Sequence, residues 1–401
     1  MKNDKIRQIL IDTGGTFTDC LAVDSAGRVK RAKVLSNGSL RGIIVEILVP
    51  RRILIKGKWS APSGFINGYK FRLLNREHDE IVVTDYDADK SIIEISRALP
   101  ADVVPLSVFE IISPDEAPVL AAKLVTQTAA EQELPPISIR LATTRGTNAL
   151  LERKGEAVAL FITKGFGDLL EIGTQQRPDL FALNIVKPKP LYSKVIEVLE
   201  RVEADGSVLQ PLNLNGLEKP VAELLNRGIS AAAIAFMHSY RNPVHEEKLA
   251  EFLRTRGFRT VSCSSASAPF IKILPRAQTA VVNAYLSPVI NQYLQRVQKP
   301  IQNGKLHVLT SAGGLIQAGS FYPKDSLLSG PAGGVVGAAF AGKQSGYEKV
   351  ITFDMGGTST DVARFDGDFE YLFEHEVGDA HLVATALAIE SVAAGGGSIC
   401  G

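Results

Sequence analysis

The protein has 401 residues, 45% of them hydrophobic, so it is too long for one compact core and apolar enough to bury two or three. Its 44 lysines and arginines nearly balance its 43 aspartates and glutamates. A chain this close to neutral has no strong field to attract nucleic acid or an anionic membrane, so neither partner is expected. A small neutral or anionic substrate fits better.

The compartment is predicted from the first residues, the apolar runs and the cysteines. The first five residues lead into a strand-like run without the apolar stretch of a secretory signal. The apolar run at 229–237 is too short to span a bilayer. Cys20, Cys263 and Cys400 are scattered, odd in number and without metal-ligand spacing, so we expect reduced thiols and a cytoplasmic protein.

The first part of the chain is rich in strands. Strand-like segments at 7–12, 17–24 and 28–35 follow one another across turn residues, which predicts an antiparallel meander. Short β-rich runs then fill residues 36–99, which we interpret as a small, peripheral β-rich insertion. A capping box at 113–116 opens a helix that is predicted to continue to about residue 129.

From residue 138 onward the predicted strands and helices alternate, which favours an α/β architecture. In chain order they are strand 138–143, helix 147–153, strand 157–162, helix 166–172, hairpin 202–212, helix 217–226, strand 230–237 and a helix that begins near Asn242. Helical spacing returns over 282–297, where Pro288 is expected to kink the helix. We place the domain boundary between residues 205 and 206, giving domains 5–205 and 206–401.

One motif occurs twice in the chain. Asp-Thr-Gly-Gly-Thr-Phe-Thr-Asp from Asp12 to Asp19 returns as Asp-Met-Gly-Gly-Thr-Ser-Thr-Asp from Asp354 to Asp361, each time between two predicted strands. Paired glycines let backbone N–H groups approach phosphate oxygens, and threonine hydroxyls add further donors. An aspartate at a strand end can hold Mg²⁺, usually through water. The motif is therefore typical of a phosphate-binding loop.

A single copy would more simply be a hairpin turn, with the aspartate bonding its own backbone. Two copies have no reason to share the threonine and aspartate tail by chance, so the repeat predicts nucleotide binding. Asp12 and Asp354 are the predicted metal-organising, catalytic pair, and we expect them to converge in space, remote from residues 36–99. The predicted phosphate-holding residues are Gly14, Gly15, Thr16, Thr18, Gly356, Gly357, Thr358 and Thr360.

The repeated motif resembles the two phosphate loops of the actin, sugar kinase and heat-shock ATPase superfamily. More narrowly, six motifs in order resemble the hydantoinase A/5-oxoprolinase family, and within it the oxoprolinase branch. Besides the two loops, they are Thr143–Gly155, Gly173–Phe181, Ser329–Gly337 and Ala394–Ser398. The resemblance implies an α/β fold of duplicated actin/sugar-kinase-like, or ribonuclease H-like, domains with mixed sheets.

The resemblance also implies an activity, the ATP-dependent hydrolysis of a cyclic amide such as 5-oxoproline or a hydantoin, with ATP and Mg²⁺. Two alternatives stay open, because the ATP-binding subunit of a ketone carboxylase resembles the same family and related folds also act as non-catalytic nucleotide-dependent switches. In the family an element like Ala394–Ser398 is internal. We therefore expect the second domain to be incomplete and turnover to need a C-terminal continuation or a hydantoinase B-like subunit.

Four further residues are candidate substrate ligands. Thr143, Thr144 and Asn148 lie where a strand feeds a helix and could bind a polarised carbonyl, with ordinary helix capping as the alternative. Arg177 could bind a substrate carboxylate, although a surface ion pair is the commoner role of a loop arginine.

His375 should point to the opposite face of its strand from the glutamates on either side. Six glycines could approach a nucleotide or serve close packing: Gly330, Gly333, Gly334, Gly395, Gly396 and Gly397.

Overall fold

The structure is a computed structural model that describes residues 6–74, 81–175, 181, 183–184, 187–301, 303–356, 359–392 and 394–399. The chain divides into two compact units. Unit 1 contains the residues up to 144 together with 292–309 and 315–321, and unit 2 contains 145–291, 310–314 and the residues from 322 onward. The boundary predicted between residues 205 and 206 lies inside unit 2.

The strands and helices have the following bounds. The strands are β1 (Ile6–Thr13), β2 (Phe17–Asp24), β3 (Val29–Leu35), β4 (Ser39–Val49), β5 (Arg52–Gly57), β6 (Lys70–Leu73), β7 (Ile81–Asp87), β8 (Ile92–Ile95), β9 (Val108–Ile112), β10 (Ser138–Thr143), β11 (Val158–Thr163), β12 (Tyr192–Val198), β13 (Arg201–Val202), β14 (Val208–Gln210), β15 (Ala231–Ala235), β16 (Thr260–Cys263), β17 (Lys305–Leu309), β18 (Leu315–Gln317), β19 (Lys349–Met355), β20 (Thr360–Asp366), β21 (Tyr371–Val377), β22 (Ala380–Leu387) and β23 (Ile389–Val392). The helices are α1 (Ala117–Thr126), α2 (Arg145–Leu151), α3 (Leu169–Ile172), α4 (Glu218–Asn226), α5 (Val244–Arg256), α6 (Ser264–Ser267), α7 (Ile273–Gln298) and α8 (Ser329–Gln344), with short 3-10 turns at Ala318–Ser320 and Pro323–Ser326.

Unit 1 is built on one mixed sheet with the strand order β18-β17-β10-β1-β2-β3-β4-β5-β8-β7-β6-β9. β1, β10 and β17 run parallel, whereas β1, β2 and β3 form the predicted antiparallel meander. Alternate residues of the first two strands are buried, among them Ile9, Ile11, Cys20 and Ala22. Helix α1 packs against β1, β2 and β3, which gives this part of the sheet its core.

The β-rich character predicted for residues 36–99 is confirmed. β4 pairs with β9 as well as with β5, so the strands from β4 to β9 close into a ring. Closure leaves few unpaired edges, which is the usual protection of such strands against wrong pairing. The rings of Phe71 and Phe109 stack with their centroids 5.0 Å apart in the core of this ring of strands.

Unit 2 contains a parallel sheet with the order β12-β11-β15-β16. Every residue of β11 is buried, as expected for a parallel strand covered on both faces. Helices α4 and α5 pack on the sheet through a core that includes Phe161, Ile234, Phe236 and Leu249. The alternation of strands and helices predicted for this region is therefore confirmed.

A second sheet of unit 2 carries the second copy of the repeated motif. β19, β20 and β23 form an antiparallel sheet that packs against α8, and β21 pairs with β22. On β21, His375 is buried while Glu374 and Glu376 are exposed, which confirms the prediction from strand alternation. Within the residues that the structure describes, no helix combines the length and the apolar character needed to cross a lipid bilayer.

Candidate functional site

Loop 1, which comprises residues 12–19, is the turn between β1 and β2. Asp12 lies opposite Asp19 and Thr13 opposite Thr18 in the antiparallel register. The turn is closed by Gly14, whose N–H donates to the carbonyl of Phe17 at 3.0 Å. Asp12 is exposed, whereas the carboxylate of Asp19 accepts from Lys33 Nζ at 2.9 Å. The carboxylate of Asp19 is thus tied to the neighbouring strand β3.

Ser36 supports loop 1 from the end of β3. Its Oγ donates to the carbonyl of Gly14 at 2.8 Å, and its N–H donates to the carbonyl of Thr16 at 2.9 Å. Ser36 Oγ also lies 3.1 Å from Thr18 Oγ1, which must be the donor because the single serine proton already goes to a carbonyl. Thr18 is fully buried. Ser36, the first residue of the segment 36–99, therefore contacts loop 1. The prediction that this segment is remote from the loops is wrong at Ser36.

Loop 2, which comprises residues 354–361, matches loop 1 at its described residues. The predicted phosphate ligands Gly357 and Thr358 lie outside them. Asp354 lies opposite Asp361, and Met355 lies opposite Thr360. The N–H of Gly356 donates to the carbonyl of Ser359 at 2.9 Å, which is the counterpart of the bond that closes loop 1. At the described residues, the two copies of the motif thus share the strand register and the closing hydrogen bond.

Loop 2 is supported by the glycine-rich segment near the end of the chain. The N–H of Gly396 donates to the carbonyl of Gly356 at 2.9 Å. Thr360 is 6% exposed, and its Oγ1 donates to the carbonyl of Ala394 at 2.6 Å. The hydroxyl protons of Thr18 and Thr360, both predicted to bind phosphate, are thus engaged with protein acceptors.

The glycines of α8 lie beside loop 2. A Cβ at Gly334 would be 4.0 Å from Asp354 Oδ2, so this carboxylate lies against the first turns of the helix. Gly330 and Gly333 belong to the same turns. Farther along α8, a Cβ at Gly342 would come within 2.4 Å of Val350 Cγ2. The helix therefore uses glycine both near the loop and for close packing on β19.

Two of the predicted substrate ligands lie next to loop 1. β1 and β10 are parallel and place Thr13 beside Thr143, which is fully buried. Thr144 donates to the carbonyl of Thr13 through its N–H at 2.9 Å and through Oγ1 at 3.2 Å. The carboxyl ends of parallel strands are a common place for ligands. Asn148 belongs to α2 in unit 2, and Arg177 lies outside the described residues.

Unit 2 also contains an open cleft of about 730 Å³, lined in part by residues 173–175. His381 from β22 lies between two carboxylates of β21, with Nε2 3.7 Å from Glu374 and Nδ1 3.6 Å from Glu376. Lys272 Nζ is 3.4 Å from Glu374. This charged cluster was missed from the sequence because it depends on the pairing of two strands.

The carboxyl end of the parallel sheet in unit 2 is filled by its own side chains. Arg276 and Glu246 are both fully buried, and both carboxylate oxygens of Glu246 accept hydrogen bonds from Ser264 and Ser265. Arg276 donates to the carbonyl of Phe236 at 2.8 Å. A ligand at this end of the sheet would have to displace these buried hydrogen bonds, although Arg276 Nε has no partner among the described residues. We therefore interpret this edge as a structural feature.

Comparison with known proteins identifies the family of this fold. The family model for the hydantoinase/oxoprolinase N-terminal region matches residues 98–257, and the hydantoinase/oxoprolinase model matches residues 276–400. The chain belongs to the hydantoinase/oxoprolinase family. It is 43% identical over 317 residues to 5-oxoprolinase 1 of Arabidopsis thaliana, an alignment that covers 71% of this chain and 25% of the plant protein.

Two solved structures share the fold of this family member. A nucleotide-free acetone carboxylase superposes with a TM-score of 0.68 at 20% identity, and the ATP-dependent caprolactamase of Pseudomonas jessenii with 0.65 at 23%. The alignments cover 97% and 98% of this chain, and 48% of each solved chain. The predicted mixed α/β fold is confirmed, and the chain spans about a quarter of the length of the plant relative and about half of each solved one.

Proposed function

We propose that this chain is the ATP-binding part of an enzyme that opens a cyclic amide, such as 5-oxoproline or a hydantoin-like ring. The observation that carries the proposal is the repetition of one motif at one strand register, with equivalent hydrogen bonds from the N–H groups of Gly14 and Gly356. Paired glycine turns suit polyphosphate, since their N–H groups can approach its oxygens closely. The family membership and the 5-oxoprolinase relative support the cyclic amide as substrate.

The proposed chemistry activates a poor electrophile. The amide oxygen attacks the γ-phosphorus of ATP, ADP leaves, and water then adds to the activated carbon. The C–N bond then breaks as nitrogen takes a proton, which leaves an acyl phosphate. A second water attacks its carbonyl carbon and releases phosphate, which carries the former amide oxygen. The loop residues Gly15 and Thr16 would hold phosphate oxygens, and Thr144 would lie beside the reacting carbonyl. Their contribution is positioning and charge neutralisation.

Asp12 and Asp354 are the residues proposed to hold Mg²⁺, which would neutralise phosphate charge. Both are exposed carboxylates at corresponding strand ends. Among the described residues, no group of three or more histidine, cysteine, aspartate or glutamate side chains could hold a metal ion. One or two carboxylates suffice for Mg²⁺, because this ion keeps most of its water and takes one or two protein ligands.

We also propose that turnover needs further polypeptide, either a continuation of this chain or a hydantoinase B-like subunit. The support is an exposed apolar face on the β19-β20-β23 sheet, on the side away from α8. Ile351, Phe353 and Met355 are 78%, 67% and 56% exposed on this face, and Val392 is 57% exposed. A contiguous apolar face of this kind usually meets another protein surface.

The cytoplasm is the proposed compartment. Its support is that Cys20 and Cys263 are free thiols, which suit a reducing environment.

A second candidate function is carbonyl carboxylation. Its support is the TM-score of 0.68 with the acetone carboxylase, a likeness that extends over 97% of this chain. Phosphorylating a ketone enolate and phosphorylating an amide need the same loops, so the loops alone favour neither. A nucleotide-dependent switch without turnover is the remaining alternative.

Isotope transfer distinguishes these functions. The chain is combined with a hydantoinase B-like subunit, ATP and 5-oxoproline or a hydantoin labelled with ¹⁸O at the amide carbonyl. The proposed hydrolase gives ring-opened product and ¹⁸O in the released phosphate. A carboxylase instead consumes bicarbonate with a small ketone and leaves the amides intact. Nucleotide binding without either product would contradict both enzymatic functions.

A further inference from the structure

The carbonyl groups of loop 1 are held from one side. Ser36 binds the carbonyl of Gly14 through Oγ and the carbonyl of Thr16 through N–H. No peptide bond in the structure is cis among the described residues, and in a trans peptide the C=O and the following N–H point in opposite directions. Fixing the Gly14 carbonyl toward Ser36 therefore directs the N–H of Gly15 away from Ser36.

We infer that Ser36 is a positioning residue that orients the Gly15 N–H toward phosphate, an inference that rests on the nucleotide-binding role proposed above. Gly15 and Thr16 are exposed, whereas Thr18 is fully buried. The hydroxyl proton of Thr18 goes to Ser36, and the proton of Ser36 goes to Gly14. This chain of hydrogen bonds, which we call the Ser36 clasp, holds the loop from its buried side.

The inference changes the roles of two predicted phosphate ligands. A hydroxyl has one proton to donate, and those of Thr18 and Thr360 are both donated to protein oxygens. Phosphate binding in loop 1 is thereby assigned to the backbone N–H groups and the exposed Thr16. The buried threonine of each motif positions the loop and does not contact the nucleotide.

Loop 2 has an equivalent of the clasp with different chemistry. The carbonyl of Gly356, which corresponds to Gly14 in the motif, accepts from the backbone N–H of Gly396 at 2.9 Å. Thr360 donates to Ala394 in the same segment. Ala394 and Gly396 are thus assigned to the support of loop 2, and Gly396 not to direct contact with the nucleotide.

The clasp of loop 1 is tested with Ser36→Ala and Ser36→Thr in the 401-residue chain. Binding of ATP with Mg²⁺, of tripolyphosphate and of adenosine is measured by calorimetry. Losing one hydrogen bond to the Gly14 carbonyl should weaken ATP and tripolyphosphate binding about fivefold to tenfold, because a net hydrogen bond of about 1 kcal/mol corresponds to that range. Adenosine binding should stay unchanged, and Ser36→Thr, which keeps the hydroxyl, should restore most of the affinity.

The matched control is Ser39→Ala. Ser39 is fully buried three residues away, and its Oγ bonds Asn37 Oδ1 at 2.6 Å, so the variant also loses a hydroxyl bond in the same turn. It should alter thermal stability as Ser36→Ala does but leave tripolyphosphate binding unchanged. Equal binding by Ser36→Ala and the wild type, or equal losses in both alanine variants, would overturn the clasp.

The clasp of loop 2 is tested with a pair of variants at Gly396. Gly396→Ala keeps the N–H, and its Cβ would lie 3.7 Å from the Gly356 carbonyl, an ordinary contact. Gly396→Pro removes the N–H. We expect the alanine variant to bind tripolyphosphate like the wild type and the proline variant to bind it at least fivefold more weakly, on the same hydrogen-bond estimate of about 1 kcal/mol.

The outcomes separate this inference from the proposed function. If the wild type binds neither ATP nor tripolyphosphate, the proposed nucleotide role fails before any variant is compared. If the wild type binds both and Gly396→Pro binds them equally well, only the support role of Gly396 fails. A proline variant that does not fold leaves the decision to the Ser36 pair, whose test stands alone.

Discussion

Ile11 and Phe353 each directly precede a copy of the repeated motif, yet Ile11 is 3% exposed and Phe353 is 67% exposed. The difference extends along the strands, since Ile9 is fully buried and its counterpart Ile351 is 78% exposed. In unit 1 the meander is covered by α1. Within the described part of unit 2, α8 covers one face of the equivalent sheet and the face of Phe353 stays open to solvent.

We expect Phe353→Ser to reduce self-association of the 401-residue chain. The change removes exposed apolar area, so stability should stay within about 0.5 kcal/mol while the weight-average mass at high concentration falls. The measurement is sedimentation velocity over a concentration series. Leu209→Ser is the control, because Leu209 is equally exposed, at 67%, but lies on the β13-β14 hairpin. Identical behaviour of the two variants would argue against the sheet face as the associating surface.

Asp12→Asn and Asp354→Asn should each lower ATP turnover about a hundredfold, the usual scale for losing one group that stabilises transition-state charge. Melting temperatures should change little, because both carboxylates are exposed. Asp19→Asn is the matched control, since that carboxylate pairs with Lys33 on the surface and such pairs contribute less than about 1 kcal/mol. The measurement is phosphate release with the partner subunit present. Equal losses in Asp12→Asn and Asp19→Asn would contradict the assignment.

The convergence of Asp12 and Asp354 stays a prediction, because they belong to different units. A double-mutant cycle tests it through turnover. If both carboxylates act on one bound cation, the double variant should lose much less than the product of the two single losses. Fully multiplicative losses would indicate that the two aspartates act independently.

His375 predicts a specific pH dependence of stability. The ring is 8% exposed, and neither ring nitrogen has a hydrogen-bond partner among the described residues. Burial lowers the pKa of His375, and His381 and Lys324 add to this, while Asp325 and the backbone of Ala384 oppose it. The folded state then binds this proton less readily than the unfolded state. The contribution of neutral His375 to the free energy of unfolding is fully present above a pH of about 6.5, the unfolded-state pKa. This contribution is lost as the pH falls from there toward the lowered pKa of the folded state.

The corresponding experiment compares thermal unfolding of the wild type and His375→Leu between pH 8 and pH 5. The variant has no imidazole to protonate, so its melting temperature should fall less over the acidic half of the range. Parallel curves for the two proteins would rule out His375 as the source of the acid sensitivity.

Two glycines of α8 should respond oppositely to alanine. At Gly342 the new Cβ would lie 2.4 Å from Val350 Cγ2, so Gly342→Ala should destabilise by about 1 to 3 kcal/mol through overpacking. At Gly337 nothing lies within 4 Å of the new atom, so Gly337→Ala should stabilise by up to about 1 kcal/mol through helix propensity. Chemical denaturation measures both. Similar destabilisation by both substitutions would mean that α8 does not pack closely on β19 at Gly342.

Much of the fold was predictable because it follows from local pattern. The meander of β1 to β3 is visible as short alternating runs, and the loops follow from paired glycines between strands. The buried strand β11 is visible in the sequence as a continuous run of mostly apolar residues. These signals depend on residues close together in sequence, which is why they could be interpreted before the structure.

The supports of the loops could not be predicted in this way. Ser36 looks like an ordinary turn residue after β3, and only the folded meander brings its hydroxyl 2.8 Å from the Gly14 carbonyl. Thr18 carries the same motif signal as Thr16, but Thr18 lies in strand β2 and is buried, whereas Thr16 precedes the strand in the turn and is exposed. The exposure of Phe353 likewise depends on which element covers a sheet, and residue types do not encode that.

The two supports also differ in how easily mutation can remove them. In loop 1 the donor is a side chain, so nearly any substitution of Ser36 other than threonine removes the hydroxyl donor. In loop 2 the donor is the peptide N–H of Gly396, which every amino acid except proline supplies. Random mutagenesis selected for nucleotide binding should therefore leave a narrow spectrum of residues at position 36 and a wider one at position 396, limited there by side-chain size. The duplicated turn has thus given its copies unequal genetic robustness.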